Sequence, residues 1–143
     1  MTFKEPEQGS TRHPDEFIRD SVENIRARHV LLLADSCFSG SIFAQSRSQT
    51  RDVDEDALEE AMAKLIKQPS RIALTSGTSK DRVPAESLFA KSLVVNLKKH
   101  GGTRISAMSL FVQIEEDLNS KGETPVFGKM KGDRGGRFIL FKK

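Results

Sequence analysis

The sequence predicts an α/β domain built on a mostly parallel sheet. Two apolar segments, 29–35 and 71–77, have the length of buried strands. The first is a continuous aliphatic run, which is typical of a strand covered on both faces of its sheet. Segments with helical spacing of apolar residues lie before, between and after these strands. Because strands that alternate with helices form parallel sheets with crossover helices, we expect this layered architecture.

Composition indicates a single domain. The chain has 143 residues, of which 36% are hydrophobic and 30% charged, as in a folded domain with a small core. The longest apolar run, 30–34, is too short to cross a bilayer, and the polar start does not resemble a secretory signal. We therefore expect a cytoplasmic protein with no membrane partner. The net charge is +3, and interleaved basic and acidic residues predict a mixed surface without a nucleic-acid partner.

The first predicted elements are a helix and a strand. The helix begins at Pro14, because acidic residues such as Asp15 and Glu16 are favourable in a first turn. The strand over 29–35 follows, and the next residues, SCFSGS, predict a turn in which Gly40 permits sharp bending. Apolar residues of the helix recur at helical spacing: Phe17, Ile18, Val22 and Ile25.

The second half of the chain predicts three more helices and two strands. Pro69 marks the end of one helix, and Gly101 with Gly102 predicts a left-handed stop for the next. Ser106 is the expected N-cap of the last helix. The predicted elements are a helix over 57–67, a strand over 71–77, a helix over 86–100, a helix over 106–118 and a strand over 137–141.

Cys37 is the only cysteine, and its position makes it a candidate nucleophile. Functional groups gather at the carboxyl ends of parallel strands, where the segments 35–37 and 75–77 both fall. A lone cysteine is also commonly a buried, unreactive side chain, and the pattern leaves both interpretations open. The reactive form is the thiolate, which needs a basic partner. Asp35 either caps a turn or, on the same side of the strand as Cys37, supplies negative charge to a substrate pocket.

The segment ADSCFSGS resembles the nucleophile segment of caspase-like cysteine peptidases of the C14 type, in the metacaspase and bacterial branch with D-x-C-x-S-G. Four later segments are similar in order, so that the resemblance covers about 15–141: RIALTSG, SLFAKSLVVNL, RISAMSLFVQIEEDL and TPVFGKMKGDRGGRFILF. It implies a three-layer αβα fold of which this chain, one partial domain over 1–143, lacks the N-terminal strands. A nucleophile segment (15–50) and a small-subunit-like part (57–143) would flank an exposed loop (45–56).

The resemblance also implies roles for individual residues. Cys37 would attack a peptide carbonyl and form a thioester, and its backbone N–H would contribute to the oxyanion hole. Asp35 would lie in the pocket for the residue before the cleaved bond, which implies a peptide or protein substrate cut after Arg or Lys. Ser76 and Gly77 would line the same cleft, and Asp81 is a weaker candidate for a second pocket acid.

Two features of the polar loop have competing interpretations. Arg47 and Arg51 resemble a site that is cut during maturation, and they are also compatible with a solvated loop. The acidic run DVDED could bind Ca²⁺ weakly, as some relatives are calcium-stimulated, although charge runs are usually only solvated. We expect no other cofactor, since the sequence has no Cys/His cluster for a metal. A nucleotide-binding domain is disfavoured because TSGTSK lacks phosphate-loop spacing.

The histidine base that the resemblance implies has no match in the sequence. It would lie in a GHG-like motif about 50 residues before the cysteine. His13 follows no apolar strand, His29 opens a strand whose far end is roughly 20 Å away, and His100 ends a helix. We therefore expect an N-terminal segment to carry the base, and this chain alone to be nearly inactive. The alternative is a catalytically inactive caspase-like module that binds partners.

Overall fold

The computed structural model describes residues 14–38, 42–43, 58–78 and 87–143, and at a few of these, Cys37 and Phe38 among them, the backbone alone. Four helices and five strands are described. In chain order they are α1 (Pro14–Glu23), β1 (His29–Phe38), α2 (Leu58–Lys67), β2 (Ser70–Thr78), α3 (Leu88–Lys99), β3 (Arg104–Ser106), α4 (Ala107–Asn119), β4 (Val126–Lys129) and β5 (Ile139–Phe141).

The central sheet has three strands in the order β1–β2–β4. β1 and β2 are parallel and in register from His29 beside Ser70. β4 is antiparallel to β2, so the sheet is mixed, and the prediction of a mostly parallel sheet was wrong in this respect. The reason is that the turn after α4 delivers the chain beside Thr75, near the carboxyl end of β2, so that β4 can only run back along it.

A second, two-stranded sheet pairs β3 with β5 in antiparallel fashion. The last strand was predicted over 137–141, but it is shorter and lies in this separate sheet rather than in the central one. β3 and β4 have only three and four residues, too few for a recognisable alternation of apolar and polar side chains. The sequence therefore gave no prediction for either.

The last three helices follow the predicted pattern closely, whereas α1 ends at Glu23, before Ile25. The Ser87 and Ser106 hydroxyls accept hydrogen bonds from the backbone N–H groups of Ala90 and Ser109, and so cap α3 and α4. The predicted N-cap at Ser106 is confirmed. The predicted left-handed stop after α3 is wrong, because His100 ends that helix in an extended conformation and neither of the following glycines has a positive φ.

Two apolar clusters cover the two faces of the central sheet. On one face, Leu74 packs with residues of α3 and α4, including Phe89, Leu110 and Ile114. On the other face, Ala73 packs with residues of α1 and with Ile42 and Met130. Adjacent residues of β2 thus belong to opposite clusters, as the alternation of side chains along a strand requires. Within the described residues, no helix combines the length and the apolar character needed to cross a membrane.

Candidate functional site

The carboxyl ends of β1 and β2 lie side by side at one edge of the central sheet. The two strands pair continuously from His29–Ser70 to Ala34–Thr75 and again at Cys37–Gly77. The backbone of Cys37 is therefore directly beside that of Gly77, and Ser76 lies one residue before it. Asp35, Cys37, Ser76 and Gly77, which the sequence suggested as site residues, come together at this edge.

A β-bulge separates Asp35 from Cys37. Between the pairs Ala34–Thr75 and Cys37–Gly77, β1 has two residues, Asp35 and Ser36, where β2 has only Ser76. The strand predicted to end at 35 continues through this bulge to Phe38, and the turn predicted for SCF is strand. Because a bulge interrupts the regular alternation of side chains, strand geometry no longer supports the inference that Asp35 and Cys37 share one side.

The residues around the bulge differ in their exposure. Asp35 is exposed and Ser36 and Ser76 are half-buried, whereas Gly77 is buried. Thr75, which is 1% exposed, donates a hydrogen bond of 3.4 Å from its hydroxyl to the carbonyl of Gly77. This edge thus presents the accessible carboxylate of Asp35. Beside it lies β2, whose backbone is stabilised by the buried hydroxyl of Thr75. Ser36 and Thr75 lie within the segments 35–37 and 75–77 that the sequence placed at this edge, but no individual role was predicted for either residue.

Neither of the two histidines in the described part of the chain reaches this edge. His29 lies at the opposite end of β1, where its Nε2 donates to the carbonyl of Ile66 (2.7 Å) and its Nδ1 lies 2.9 Å from the Ser70 hydroxyl. His100 donates from Nε2 to the carbonyl of Arg104 at 2.8 Å. Both rings are engaged in hydrogen bonds that hold loops and strand ends, which agrees with the expectation that neither serves Cys37.

The other predicted site residues fall outside the described ranges. They are the second pocket acid, the two residues of the possible processing site, the remaining histidine and the acidic run suggested for Ca²⁺: Asp81, Arg47, Arg51, His13 and 52–56. Among the residues that are described, no three His, Cys, Asp or Glu side chains are grouped so as to hold a metal ion.

Two cavities lie away from the carboxyl edge. One, of about 160 Å³, is lined by residues of α3, β3 and β5, among them Leu97 and Phe141. The other, of about 500 Å³, is formed by the turn after β4, residues 129–135. That turn packs beside the amino end of β2, since the backbone N–H of Arg71 donates to the Asp133 carboxylate. Neither cavity includes a residue of the candidate site.

Comparison with known proteins gives no relative: neither a family model, nor a curated protein, nor a solved structure matches this chain. The resemblance of ADSCFSGS to the caspase-like nucleophile segment therefore rests on the sequence segments alone. What the fold adds is the placement of residues 34–38 of that segment and of the TSG segment of β2 at one edge of a parallel strand pair.

Proposed function

We propose that this chain is the nucleophile-bearing part of a caspase-like cysteine endopeptidase that hydrolyses peptide bonds after Arg or Lys. The observation that carries the proposal is the pairing of Cys37 with Gly77 at the carboxyl edge of two parallel strands. Substrate sites of α/β folds form at this edge, because the strand ends and the loops that follow them are free of crossover helices.

The proposed reaction uses Cys37 as the nucleophile. Its thiolate attacks the carbonyl carbon of the scissile peptide, the amine leaves with a proton, and water then hydrolyses the thioester. The backbone N–H of Cys37 contributes to the stabilisation of the oxyanion. Asp35 attracts the basic side chain before the scissile bond, and its exposure beside the bulge supports this role.

The general base belongs to a histidine outside the described residues. The two described histidines make other hydrogen bonds, and His29 lies at the far end of β1. The proposal therefore assigns the base to an N-terminal segment upstream of this chain. That segment acts as a partner of the chain. Without that segment, the thiol of Cys37 can be alkylated but has no group to accept its proton during acyl transfer.

The test is cleavage of fluorogenic peptides that end in Arg or Lys. It is run on this chain and on the chain extended by the coding sequence that precedes it, each beside its Cys37→Ala and His13→Ala variants. We expect cleavage by the extended form only, with a loss of at least 10³-fold on Cys37→Ala, about the range that separates catalysed from residual hydrolysis. Absence of cleavage by both forms would refute the proposal.

Asp35 tests the specificity separately. Asp35→Asn should lower kcat/KM for the Arg peptide by about tenfold or more, since the bound cation loses its charged partner. Asp20→Asn on α1 removes the same charge elsewhere and should leave kcat/KM within about twofold. Equal effects of the two variants would show that Asp35 does not contact the substrate.

A catalytically inactive caspase-like binding module is the second candidate. The observation that favours it is the engagement of both described histidines in structural hydrogen bonds. Such a module would bind Arg- or Lys-containing peptides without cleaving them. Binding of a labelled peptide that Asp35→Asn weakens and Cys37→Ala does not, together with no cleavage by the extended chain, would select this candidate.

A further inference from the structure

Three loops meet at the amino ends of β1 and β2, on the opposite edge of the sheet from Cys37. Ser70 donates its backbone N–H to the carbonyl of Arg28, and Arg137 donates its own to the carbonyl of Leu65. Arg134 and Gly136 both donate to the carbonyl of Pro69. These bonds bring together residues 25–28, 65–71 and 130–137, which we call the amino-edge surface.

The amino-edge surface concentrates the positive charge of the molecule. It contains seven Lys and Arg residues and a single acidic one: Arg26, Arg28, Lys67, Arg71, Lys131, Arg134 and Arg137 against Asp133. The whole chain has 23 basic and 20 acidic residues, so sixteen basic and nineteen acidic residues remain elsewhere. The net charge of +3 thus results from a positive surface on an otherwise slightly negative chain.

The only acidic residue of this surface is neutralised by local contacts. The Asp133 carboxylate accepts backbone hydrogen bonds from Arg71 and Gly135, both 2.9 Å, and lies 3.8 Å from the Lys129 ammonium. Its side chain is only 5% exposed. It therefore stabilises the turn after β4 and contributes little negative potential at the surface.

Most of the basic side chains, in contrast, have no partner among the described residues. Arg71 donates to the carbonyls of Ile25 and Ala27, and Lys131 pairs with Glu23 at 2.8 Å. The other five make no ion pair or side-chain hydrogen bond to any residue that the structure describes, and four of them, Arg26, Arg28, Lys67 and Arg134, are exposed. Since like charges that share one surface repel each other, we expect an anion that binds there to relieve this repulsion.

We infer that the amino-edge surface binds double-stranded nucleic acid through its phosphate backbone. Five of the seven cations are arginines, whose planar guanidinium fits phosphate with two hydrogen bonds. The three loops contain no aromatic residue, so they offer no platform for stacking unpaired bases. Ile25 is their only exposed large apolar side chain, too little to anchor a protein partner or to insert into a membrane.

Binding of this kind recognises phosphate groups and does not depend on the base sequence. Its affinity falls as salt rises, with a slope of about −0.9 in log K against log [salt] for each phosphate contact. The cavity of about 500 Å³ in the turn 129–135 adds a concave, glycine-containing surface beside the cations. The inference is independent of the proposed peptidase activity, because the surface and Cys37 lie at opposite edges of the sheet.

The experiment measures the fluorescence anisotropy of an end-labelled duplex DNA of about 20 base pairs, titrated with the full chain between about 50 and 200 mM salt. The variant Arg26→Gln/Arg28→Gln/Lys67→Gln/Arg134→Gln removes four exposed charges and leaves the structural Arg71 in place. The matched control, Lys98→Gln/Lys99→Gln/Lys142→Gln/Lys143→Gln, removes four exposed charges elsewhere. Circular dichroism confirms that both variants fold.

We expect the amino-edge variant to bind at least about 30-fold more weakly than the unchanged chain at the lowest salt and to lose most of the salt slope, whereas the control changes less than about threefold. Cys37→Ala should bind like the unchanged chain. Three outcomes would overturn the inference: no binding at low salt, equal losses in the two fourfold variants, or binding of polyglutamate or phosphatidylserine vesicles that exceeds binding of the duplex.

Discussion

A polar network between α3 and α4 illustrates stabilisation at the scale of single residues. The Asp117 carboxylate accepts hydrogen bonds of 2.8 Å from the Ser92 hydroxyl and from the Asn96 side-chain amide. The bond from Ser92 contributes most to lowering the pKa of Asp117 below its ordinary value of 3.8, and the bond from Asn96 adds to it. The network therefore links the two helices through one charged group.

We predict that Asp117→Asn lowers the free energy of unfolding by about 1 kcal/mol at pH 7, because bonds to a charged, partly exposed acceptor are replaced by weaker ones. A group whose pKa is lowered by folding stabilises the protein above its unfolded pKa. That stabilisation is lost as the pH falls through the folded pKa. The difference between the unchanged chain and the variant should thus decrease below about pH 4.

Urea unfolding at several pH values measures this difference. Glu116→Gln is the matched control, since it removes one exposed negative charge from the neighbouring position of the same helix. It should change the free energy of unfolding by less than about 0.5 kcal/mol. A loss that is equal for the two variants, or that does not depend on pH, would show that the carboxylate of Asp117 has no special role.

At the scale of elements, residues 42–43 pack on the face of the central sheet that includes β4. Ile42 is fully buried in the cluster with Ala73 and Met130, and Phe43 packs against the same cluster. Phe43 lies so close to Gly128 in β4 that a Cβ at that position would overlap its ring. The absence of a side chain at Gly128 therefore allows the ring of Phe43 to lie directly against β4.

Gly128→Ala should consequently destabilise the fold by about 1–3 kcal/mol, the usual cost of an overpacked core. Gly101→Ala is the control, since nothing lies within 4 Å of a Cβ at that position and its φ is not positive. Chemical denaturation of both variants gives the comparison. If Gly128→Ala is no less stable than Gly101→Ala, the ring of Phe43 does not pack against Gly128.

The elements that the sequence predicted are those with local signals. α2, α3 and α4 begin and end within two residues of their predicted bounds, because each contains an apolar stripe and a capping serine directly precedes α3 and α4. The direction of β4 and the separate pairing of β5 depend on where distant segments meet. No pattern within three or four residues carries that information, and so the mixed sheet was not foreseen.

Part of the candidate site could likewise be predicted from the sequence, and part could not. That Cys37 and Gly77 would lie at one edge follows from two strands and a helical crossover, which the sequence does reveal. The bulge at Asp35 and Ser36 could not be predicted, since it arises from the pairing of β1 with β2 and not from residues within either strand. The charge of the amino-edge surface was hidden for a related reason: its cations come from three segments far apart in the sequence.

At the scale of the whole molecule, β1 is one of the two edge strands of the central sheet as the structure describes it. Within the described ranges it pairs only with β2, so its other side presents backbone donors and acceptors. The strand is also aliphatic from Val30 to Leu33, and Leu33 is 41% exposed. An accessible, apolar edge is a template for the addition of another strand.

We therefore expect the isolated chain to self-associate as its concentration rises, and Leu33→Lys to reduce that association several-fold, because a charged side chain on an edge strand opposes pairing with a second chain. Light scattering over a concentration series measures the effect. Val95→Lys on α3 is the control. Val95 is 40% exposed, and its substitution changes charge and hydropathy in the same direction as Leu33→Lys. Equal effects of the two substitutions would attribute association to general surface hydrophobicity, whereas an effect confined to Leu33→Lys would locate it at β1.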